Sequence, residues 1–469
     1  MSRGAVAASQ STPVTATKDN VLSGNASVPG RRIHEIDAVR SIALMLLIGY
    51  HALCAFQPFA WRLGLVGFSG HLTGLWMLGE LLNTWRIPVL FLLAGVTAGH
   101  LLQNRQPTEL IRSRLLRLVP PLLMGIFIVV PLSSIPFQSF HHLPIQYTPS
   151  PGHMWFVWNL VVYFVIAFPL FIIIKRFPRN FLLRLLWVCS PYGWLIGVPG
   201  LLGLTTLLLE PYVTPEYFSA YFIRFWYGLA CFASGVILVS LGDAFWEGIR
   251  RVCHPALLLA IALFIIRIME IDIGGATIRL WANSFESAFG MLAFLGYGSL
   301  LFARPSPVFS RFNRAVFAIY IVHYPIQQAL ALFLVPLGLP AWLAFVVLFI
   351  VTFTISALVY WLVLSLLPWL HSFFGIPPLK SNKEQRALSA LATLFPFGWM
   401  AVVGRWMVLY LASPLLIIVT YAILVATALE SRQTEATKPI IQQREIDTRD
   451  MSQEATLTPQ GFIEDKDEP

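Results

Sequence analysis

The sequence predicts an all-α, polytopic integral membrane protein with a core of ten transmembrane helices and one or two further apolar helices towards the C-terminus. Of the 469 residues, 57% are hydrophobic and only 12% are charged, whereas a soluble domain carries about 25% charged residues. The mean hydropathy is +0.71. Lipid offers backbone N–H and C=O groups no water, so such a chain must form helices or a closed barrel. The apolar runs are continuous rather than alternating, which favours helices.

Ten apolar segments approach or exceed the roughly 20 residues that a helix needs to cross a bilayer. They are 36–57, 74–99, 118–138, 155–175, 183–209, 218–241, 255–272, 281–303, 315–337 and 340–369. A further apolar stretch, 388–428, contains Pro396 and Arg405. It is compatible with one span after an interfacial helix or with two spans.

These segments divide the chain into four regions. Residues 1–32 have no apolar core and predict a disordered cytoplasmic tail rather than a signal peptide. Residues 33–370 form the predicted membrane core, and 371–428 a cytoplasmic linker with the extra transmembrane or interfacial segment. Residues 429–469 carry ten acidic and five basic residues and predict a disordered polar tail.

Basic residues in the loops predict the orientation. With the N-terminus inside, the cytoplasmic loops carry sixteen Lys and Arg residues and the external loops three, namely Arg62, Arg267 and Arg279. This asymmetry follows the positive-inside rule, and shifting the count by one helix would destroy it. We therefore expect a multi-pass protein of the plasma (inner) membrane. The net charge of +9 is explained in this way without a nucleic-acid partner.

The most informative pair of ionisable residues, Arg40 and His51, lies in the first segment. Their separation of eleven residues is three helical turns plus about 20°, so both lie on one face with a rise of about 16 Å between them. Asp37 shares this face one turn before Arg40. An ionisable residue inside a span is a functional candidate by default. The alternative is an interfacial arginine and a histidine bonded to a neighbouring helix.

A second basic group lies before the third segment. Arg112, Arg114 and Arg117 precede Pro120-Pro121, and proline suits the first turn of a helix. The sequence therefore predicts arginines at a cytoplasmic helix N-terminus, with Arg114 and Arg117 on one side. A helix N-terminus flanked by arginines favours the binding of a phosphate group. The alternative is ordinary positive-inside flanking.

A third group lies on the external side. His153, Trp155 and Trp158 stand at the opening of the segment 155–175, and Glu80 and Arg86 lie in the second apolar segment. Tryptophan faces beside carboxylates suit a sugar acceptor. The alternatives are an aromatic belt at the membrane interface and a structural pair of Glu80 with Arg86.

Glu286 lies in the outer third of the segment 281–303. A carboxylate there needs a partner or water. It could orient His51 or bind acceptor hydroxyls, and its depth favours acceptor binding. The alternative is a structural partnership with Arg86 or Arg224.

The ninth segment carries a polar stripe inside an apolar helix. Tyr320, His323 and Gln327 fall at i, i+3 and i+7 and must face the interior of the bundle or a cavity. The pattern is compatible with catalysis and with packing. No arrangement of Cys or His in the sequence suggests a metal site.

Taken together, these motifs resemble the membrane acyltransferase-3 family. The family's Arg, ten residues, His motif matches Arg40 to His51, and its Arg-x-x-Arg motif matches Arg114 to Arg117. The stretches Gly152-His153-Met154-Trp155-Phe156 and Ala318-Ile-Tyr-Ile-Val-His-Tyr-Pro325 also match. The resemblance covers roughly 33–370. Within the family, Trp85-Arg-Ile-Pro-Val-Leu-Phe91 is most similar to the glucan biosynthesis protein C branch, which is associated with succinylation of periplasmic glucans.

The resemblance implies an O-acyltransferase of the acetyl or succinyl class. Cytoplasmic acyl-CoA would be the co-substrate, with no permanently bound cofactor, and Arg40, Arg114 and Arg117 would hold its phosphates. His51 would be the general base, and Glu286 is predicted with it as a catalytic-site residue. The acceptor, an extracytoplasmic saccharide or other hydroxyl compound, would contact Glu80, Arg86, His153, Trp155, Trp158, Tyr320 and His323.

Two other functions remain compatible with the residues. One is an MBOAT-like acyltransferase that uses His323 as its buried histidine. The other is a transporter or flippase for a lipid-linked saccharide, which would explain a polar interior without chemistry. The expected partners are the lipid bilayer, acyl-CoA and the hydroxyl acceptor, and no nucleic acid.

Overall fold

The computed structural model describes residues 34–176, 193–209, 217–239, 242–271, 273–302 and 307–376. This part of the chain is helical and contains no strand. Both predicted tails, the first part of the segment 183–209 and the extra apolar stretch 388–428 lie outside the described residues.

Twelve α-helices occur in the described part of the chain. They are α1 (His34–Cys54), α2 (Thr73–Asn104), α3 (Pro107–Met124), α4 (Val130–Phe140), α5 (Trp155–Ile166), α6 (Phe168–Arg176), α7 (Gly193–Leu209), α8 (Tyr217–Leu238), α9 (Asp243–Ile268), α10 (Ala276–Leu301), α11 (Pro307–Leu334) and α12 (Ala341–Leu366). Short 3₁₀ helices cover Ala60–Leu63, Gly152–Met154, Val335–Leu337 and Pro368–Phe374.

Several of these helices are long and apolar enough to cross a membrane. Six spans qualify among the described residues, and the bent pair Gly152–Ile166 and Phe168–Arg176 makes a possible seventh. The six are Ile36–Cys54, Thr73–Asn104, Pro107–Phe140, Phe245–Ile268, Pro307–Leu337 and Ala341–Val363. The chain is therefore a multi-pass membrane protein, and the count of ten spans stays a prediction.

The third span begins earlier than the sequence predicted. Pro107 occupies the first turn of α3, so Pro120 and Pro121 lie inside the helix rather than at its start. A π-helical stretch, Gly125–Val129, follows directly. Proline removes a backbone donor and disturbs the regular hydrogen-bond ladder, and a local π-helical adjustment is one way in which a helix continues past such a disturbance. The arginines of this segment therefore lie along a helix and not at its N-terminus.

The predicted span 155–175 is bent rather than straight. Helices α5 and α6 meet at an angle of 47°. Pro169 stands at the second position of α6, where its missing N–H costs nothing but prevents continuation of the α5 ladder. The kink thus has a local cause in the sequence.

Helix α1 is held between two partners, because it packs against both α2 and α11. The loop that follows α1 is tied to α11 by Gln328, whose side chain accepts a hydrogen bond from Val66 N at 3.0 Å and donates one to the Gly64 carbonyl at 2.5 Å. Gln327 also donates to the carbonyl oxygen of His51, at 3.0 Å. These contacts fix the end of α1 against the middle of α11.

Helices α2 and α8 approach each other closely through small residues. Gly95 and Gly99 face Phe232 and Val236 of α8. A Cβ added at Gly95 would collide with the Phe232 carbonyl oxygen. The spacing of these glycines is that of a small-residue packing motif of membrane helices, and here it serves helix packing.

We expect Gly95→Ala to destabilise the protein by about 1–3 kcal/mol, because the added methyl group overpacks this interface. The measurement is thermal stability in detergent, followed by size-exclusion chromatography after heating. Gly74→Ala is the matched control on the same helix, since a Cβ there meets nothing within 4 Å. Equal melting temperatures for the two variants would contradict the close approach.

Candidate functional site

The two histidines singled out on separate helices meet inside the bundle. His51 Nδ1 lies 3.0 Å from His323 Nε2. Their rings are nearly parallel, with centroids 5.3 Å apart and an interplanar angle of 6°. They stand 272 positions apart in the chain, and the packing of α1 on α11 brings them together.

The hydrogen bonds around this pair determine which nitrogen carries each proton. His323 Nδ1 lies 2.6 Å from the Tyr320 carbonyl oxygen, and a carbonyl only accepts, so Nδ1 must donate. A neutral His323 then presents a lone pair at Nε2, and His51 Nδ1 must donate to it. The remaining lone pair of His51 is at Nε2, which makes no hydrogen bond to any described residue. This arrangement leaves His51 Nε2 able to accept a proton.

The groups behind His323 form an internal network. The Tyr320 hydroxyl donates to the His153 carbonyl oxygen at 2.5 Å, and His153 Nε2 donates to the Ile321 carbonyl at 3.0 Å. Tyr320, His323 and His153 are all buried. Tyr324 closes the group, because its ring stacks on His153 at 4.9 Å and meets His51 edge-on at 5.5 Å. These contacts hold the histidines rather than leaving them on an open surface.

Arg86 comes close to the same centre from α2. Its guanidinium carbon lies 3.7 Å from the centroid of the Tyr50 ring, in a cation–π contact. Tyr50 precedes His51 on α1, and its hydroxyl donates to Asn83 at 3.1 Å. Arg86 is 3% exposed. The pair Arg86–Glu80 considered from the sequence does not occur among the described ion pairs.

Arg40, Arg114 and Arg117 form a second centre, which we call the arginine cluster. Arg40 interacts electrostatically with Asp37 and with Arg117, and Arg114 with both of the other arginines. Arg40 donates to Thr97 of α2 at 2.5 Å, and Arg117 to the Gly375 carbonyl at 3.3 Å. Like charges held together repel one another, so the cluster is suited to a polyanion. The structure thus brings the three predicted phosphate-binding residues together, although not at a helix N-terminus.

Glu286 lies in a third centre, the carboxylate cluster, with Glu80 and Arg267. Arg267 donates to Glu286 at 2.8 and 2.9 Å and to the Glu80 carboxylate at 2.9 Å. Thr84 donates to Glu286 at 3.2 Å. The Glu286 side chain is 1% exposed, whereas those of Glu80 and Arg267 are 25% and 21% exposed. The described contacts therefore give Glu286 the partner Arg267, in place of Arg86 or Arg224, and none joins it to His51.

A cavity of about 400 Å³ opens beside this cluster. Its polar lining includes Arg267, Glu270, Arg279 and Asn283.

Trp155 and Trp158 are half-buried on α5. The ring centroids of Trp155 and Phe91 are 6.2 Å apart. No group of three or more His, Cys, Asp or Glu side chains within the described ranges is arranged to hold a metal ion.

Two features of the site were missed from the sequence. The first is the hydrogen bond between His323 and His51. The sequence predicts His323 as a residue that contacts the acceptor. The second is the place of Arg267, which lies near the end of α9 and not in an external loop as the charge pattern predicts. Its position inside an apolar segment was the available signal, because an arginine there needs a carboxylate partner.

Comparison with known proteins identifies the family. The sequence profile described as an acyltransferase domain, that of the acyltransferase-3 family, matches residues 33–361, which is more than half of the chain. Neither the curated proteins nor the solved structures contain a match. The matched range includes all the centres described above. The chain is therefore a membrane acyltransferase, a transferase of acyl groups other than aminoacyl groups, and it belongs to the acyltransferase-3 family.

Proposed function

We propose that the protein transfers an acyl group of the acetyl or succinyl class from cytoplasmic acyl-CoA to a hydroxyl group of an extracytoplasmic saccharide or other acceptor. The observation that carries this proposal is the His51–His323 pair, because it leaves His51 Nε2 as an unpartnered lone pair among the described residues. A neutral imidazole of this kind suits general base catalysis near pH 7.

In this mechanism His51 Nε2 takes the proton of the acceptor hydroxyl as its oxygen attacks the thioester carbonyl carbon. The C–S bond then breaks, and the CoA thiolate leaves and receives the proton. His323 acts as a positioning residue, because its Nε2 accepts the hydrogen bond from His51 Nδ1 and its own Nδ1 donates to Tyr320. This role resembles that of the group that orients the histidine in a catalytic triad.

The arginine cluster supports acyl-CoA as the donor. Its three guanidinium groups attract phosphates, and Arg40 lies on the same helix as His51, with a rise of about 16 Å between them. The phosphates would stay at the cytoplasmic end while the pantetheine arm follows α1. Only the acyl group would then cross the membrane. No permanently bound cofactor is required, and the N-terminus would lie in the cytoplasm of a cell whose plasma (inner) membrane holds the protein.

The acceptor would enter near the carboxylate cluster and the external tryptophans. Glu80 and Arg267 are partly exposed and would contact hydroxyl groups directly. Glu286 is enclosed and would act by fixing Arg267. For the acceptor we propose a chemical class, a saccharide that bears a free hydroxyl group, and not a particular glucan.

We expect His51→Ala to abolish acyl transfer while the protein still inserts, since the general base is lost. We expect His323→Ala to lower the rate by about 10²-fold and leave some activity, because it removes orientation and not the base. The measurement is transfer of a radiolabelled acyl group from acyl-CoA in membranes.

The control for these variants is His254→Ala. This exposed histidine on α9 bonds to Tyr297 and lies outside the proposed centre. Wild-type activity of His51→Ala together with an inactive His323→Ala would favour the MBOAT-like alternative. A wild-type protein that gives no labelled product would favour a transporter, although the family assignment already argues against one.

We expect Arg114→Ala and Arg117→Ala to raise the acyl-CoA KM by about tenfold with little change in kcat, since phosphate contacts remote from the reacting atoms supply uniform binding. Adenosine 3′,5′-bisphosphate should inhibit the wild type and inhibit both variants less. The control is Arg112→Ala, because Arg112 lies on the same helix but is not among the electrostatic neighbours of Arg40 or Arg114. If the bisphosphate inhibits none of the proteins, the phosphate site is elsewhere.

We expect Glu286→Gln to raise the acceptor KM about fivefold and to leave hydrolysis of acyl-CoA by water unchanged, because a neutral amide holds Arg267 less firmly by about 1 kcal/mol. The comparison is steady-state kinetics with and without acceptor. Glu247→Gln breaks an exposed ion pair with Arg251 and serves as the control. A parallel fall of transfer and hydrolysis would instead assign Glu286 to the support of His51.

A further inference from the structure

The buried guanidinium of Arg86 has two nitrogen atoms without a hydrogen-bond partner in the described part of the chain. These atoms are Nε and Nη1, and the residue is 3% exposed. An uncompensated charge inside a membrane protein is costly to maintain. A guanidinium kept in this state is suited to receive a negatively charged oxygen.

Among the described residues, no carboxylate forms an ion pair with Arg86. Glu80 and Glu286 both bind Arg267. The principal contact of Arg86 is the face of the Tyr50 ring, at 3.7 Å. Tyr50 is itself fixed by its bond to Asn83. The guanidinium is therefore held in place while two of its nitrogen atoms stay available.

Arg86 lies close to the proposed base. The ring centroids of Tyr50 and His51 are 6.3 Å apart, and the Arg86 guanidinium carbon is 3.7 Å from the Tyr50 centroid. The sum of the two distances, about 10 Å, is the upper limit of the separation between the guanidinium carbon and the His51 ring. Arg86 is also an electrostatic neighbour of His51.

We propose that Arg86 stabilises the oxyanion that forms when the acceptor hydroxyl attacks the acyl-CoA thioester. This inference rests on the proposed function. As the new C–O bond forms, the electron pair of the carbonyl π bond moves to its oxygen, and the hydroxyl proton goes to His51 Nε2. The guanidinium N–H groups donate to that oxygen. When the carbonyl re-forms, the C–S bond breaks and the CoA thiolate takes the proton from His51.

The length of such an intermediate can be compared with the upper limit of the separation between the two residues. A hydrogen bond from His51 to the attacking oxygen and one from Arg86 to the oxyanion each measure about 2.8 Å. The two C–O bonds between them add about 1.3 Å each. The chain of atoms from His51 Nε2 to an Arg86 nitrogen is thus about 8 Å long, which is of the same order as the upper limit of about 10 Å between the His51 ring centroid and the guanidinium carbon.

The first test is kinetic. We expect Arg86→Met to lower kcat by about 10²–10³-fold for both transfer and hydrolysis, with the acyl-CoA KM changed less than about threefold. Arg86→Lys keeps the charge but loses the planar pair of donors and should fall between Met and wild type. The control is Arg62→Met, because Arg62 also stacks on an aromatic ring, Trp61, but is exposed.

The second test measures binding and does not depend on turnover. A CoA thioether that carries a trifluoromethyl ketone hydrates readily and mimics the tetrahedral intermediate, whereas the corresponding methyl ketone does not. We expect Arg86→Met to weaken binding of the fluorinated compound at least about tenfold and that of the methyl ketone less than about threefold. Equal losses for both compounds, in a variant that elutes as a folded protein, would overturn the inference.

The outcomes separate the inference from the proposed function. If the wild type consumes no acyl-CoA, the proposed function fails. If the wild type is active and Arg86→Met retains its kcat, only the oxyanion role fails. Donors with neutral and with carboxylated acyl groups should lose activity equally in Arg86→Met. A loss confined to the carboxylated donors would overturn the oxyanion role and assign Arg86 to the tail of the acyl group.

Discussion

The hydrogen bond between His51 and His323 is the constraint on which the arrangement of the site depends. Inside a membrane a polar group without a partner is expensive, so each histidine must be satisfied by a neighbour. The Tyr320 carbonyl fixes the proton of His323, and His323 fixes that of His51. One backbone oxygen on α11 therefore decides which nitrogen of His51 on α1 keeps its lone pair.

The fold supports this bond through the polar side chains of α11. Gln327 holds the end of α1 and Gln328 holds the loop that follows it. Both lie within two turns of His323 on the same helix. A shift of α11 along its axis would break all these contacts together, which gives the pair a single arrangement.

The charged and ionisable side chains of the bundle are grouped into separate clusters. The arginine cluster lies at one end of α1, the histidines at the other, and the carboxylate cluster joins α2, α9 and α10. Arg267 neutralises two carboxylates, while Arg86 makes no ion pair within the described ranges. The separation keeps the arginine cluster, the histidine pair and the carboxylate cluster from neutralising one another.

The sequence by itself determined the all-α membrane class, the family and the face shared by Arg40 and His51, because hydropathy and helical spacing are local properties. It misplaced the start of α3, since two prolines suggested a beginning that Pro107 in fact provides. It did not predict the His51–His323 pair or the binding of Glu286 by Arg267. Those contacts join residues far apart in the chain, and only the packing of whole helices decides which polar groups meet in a medium without water.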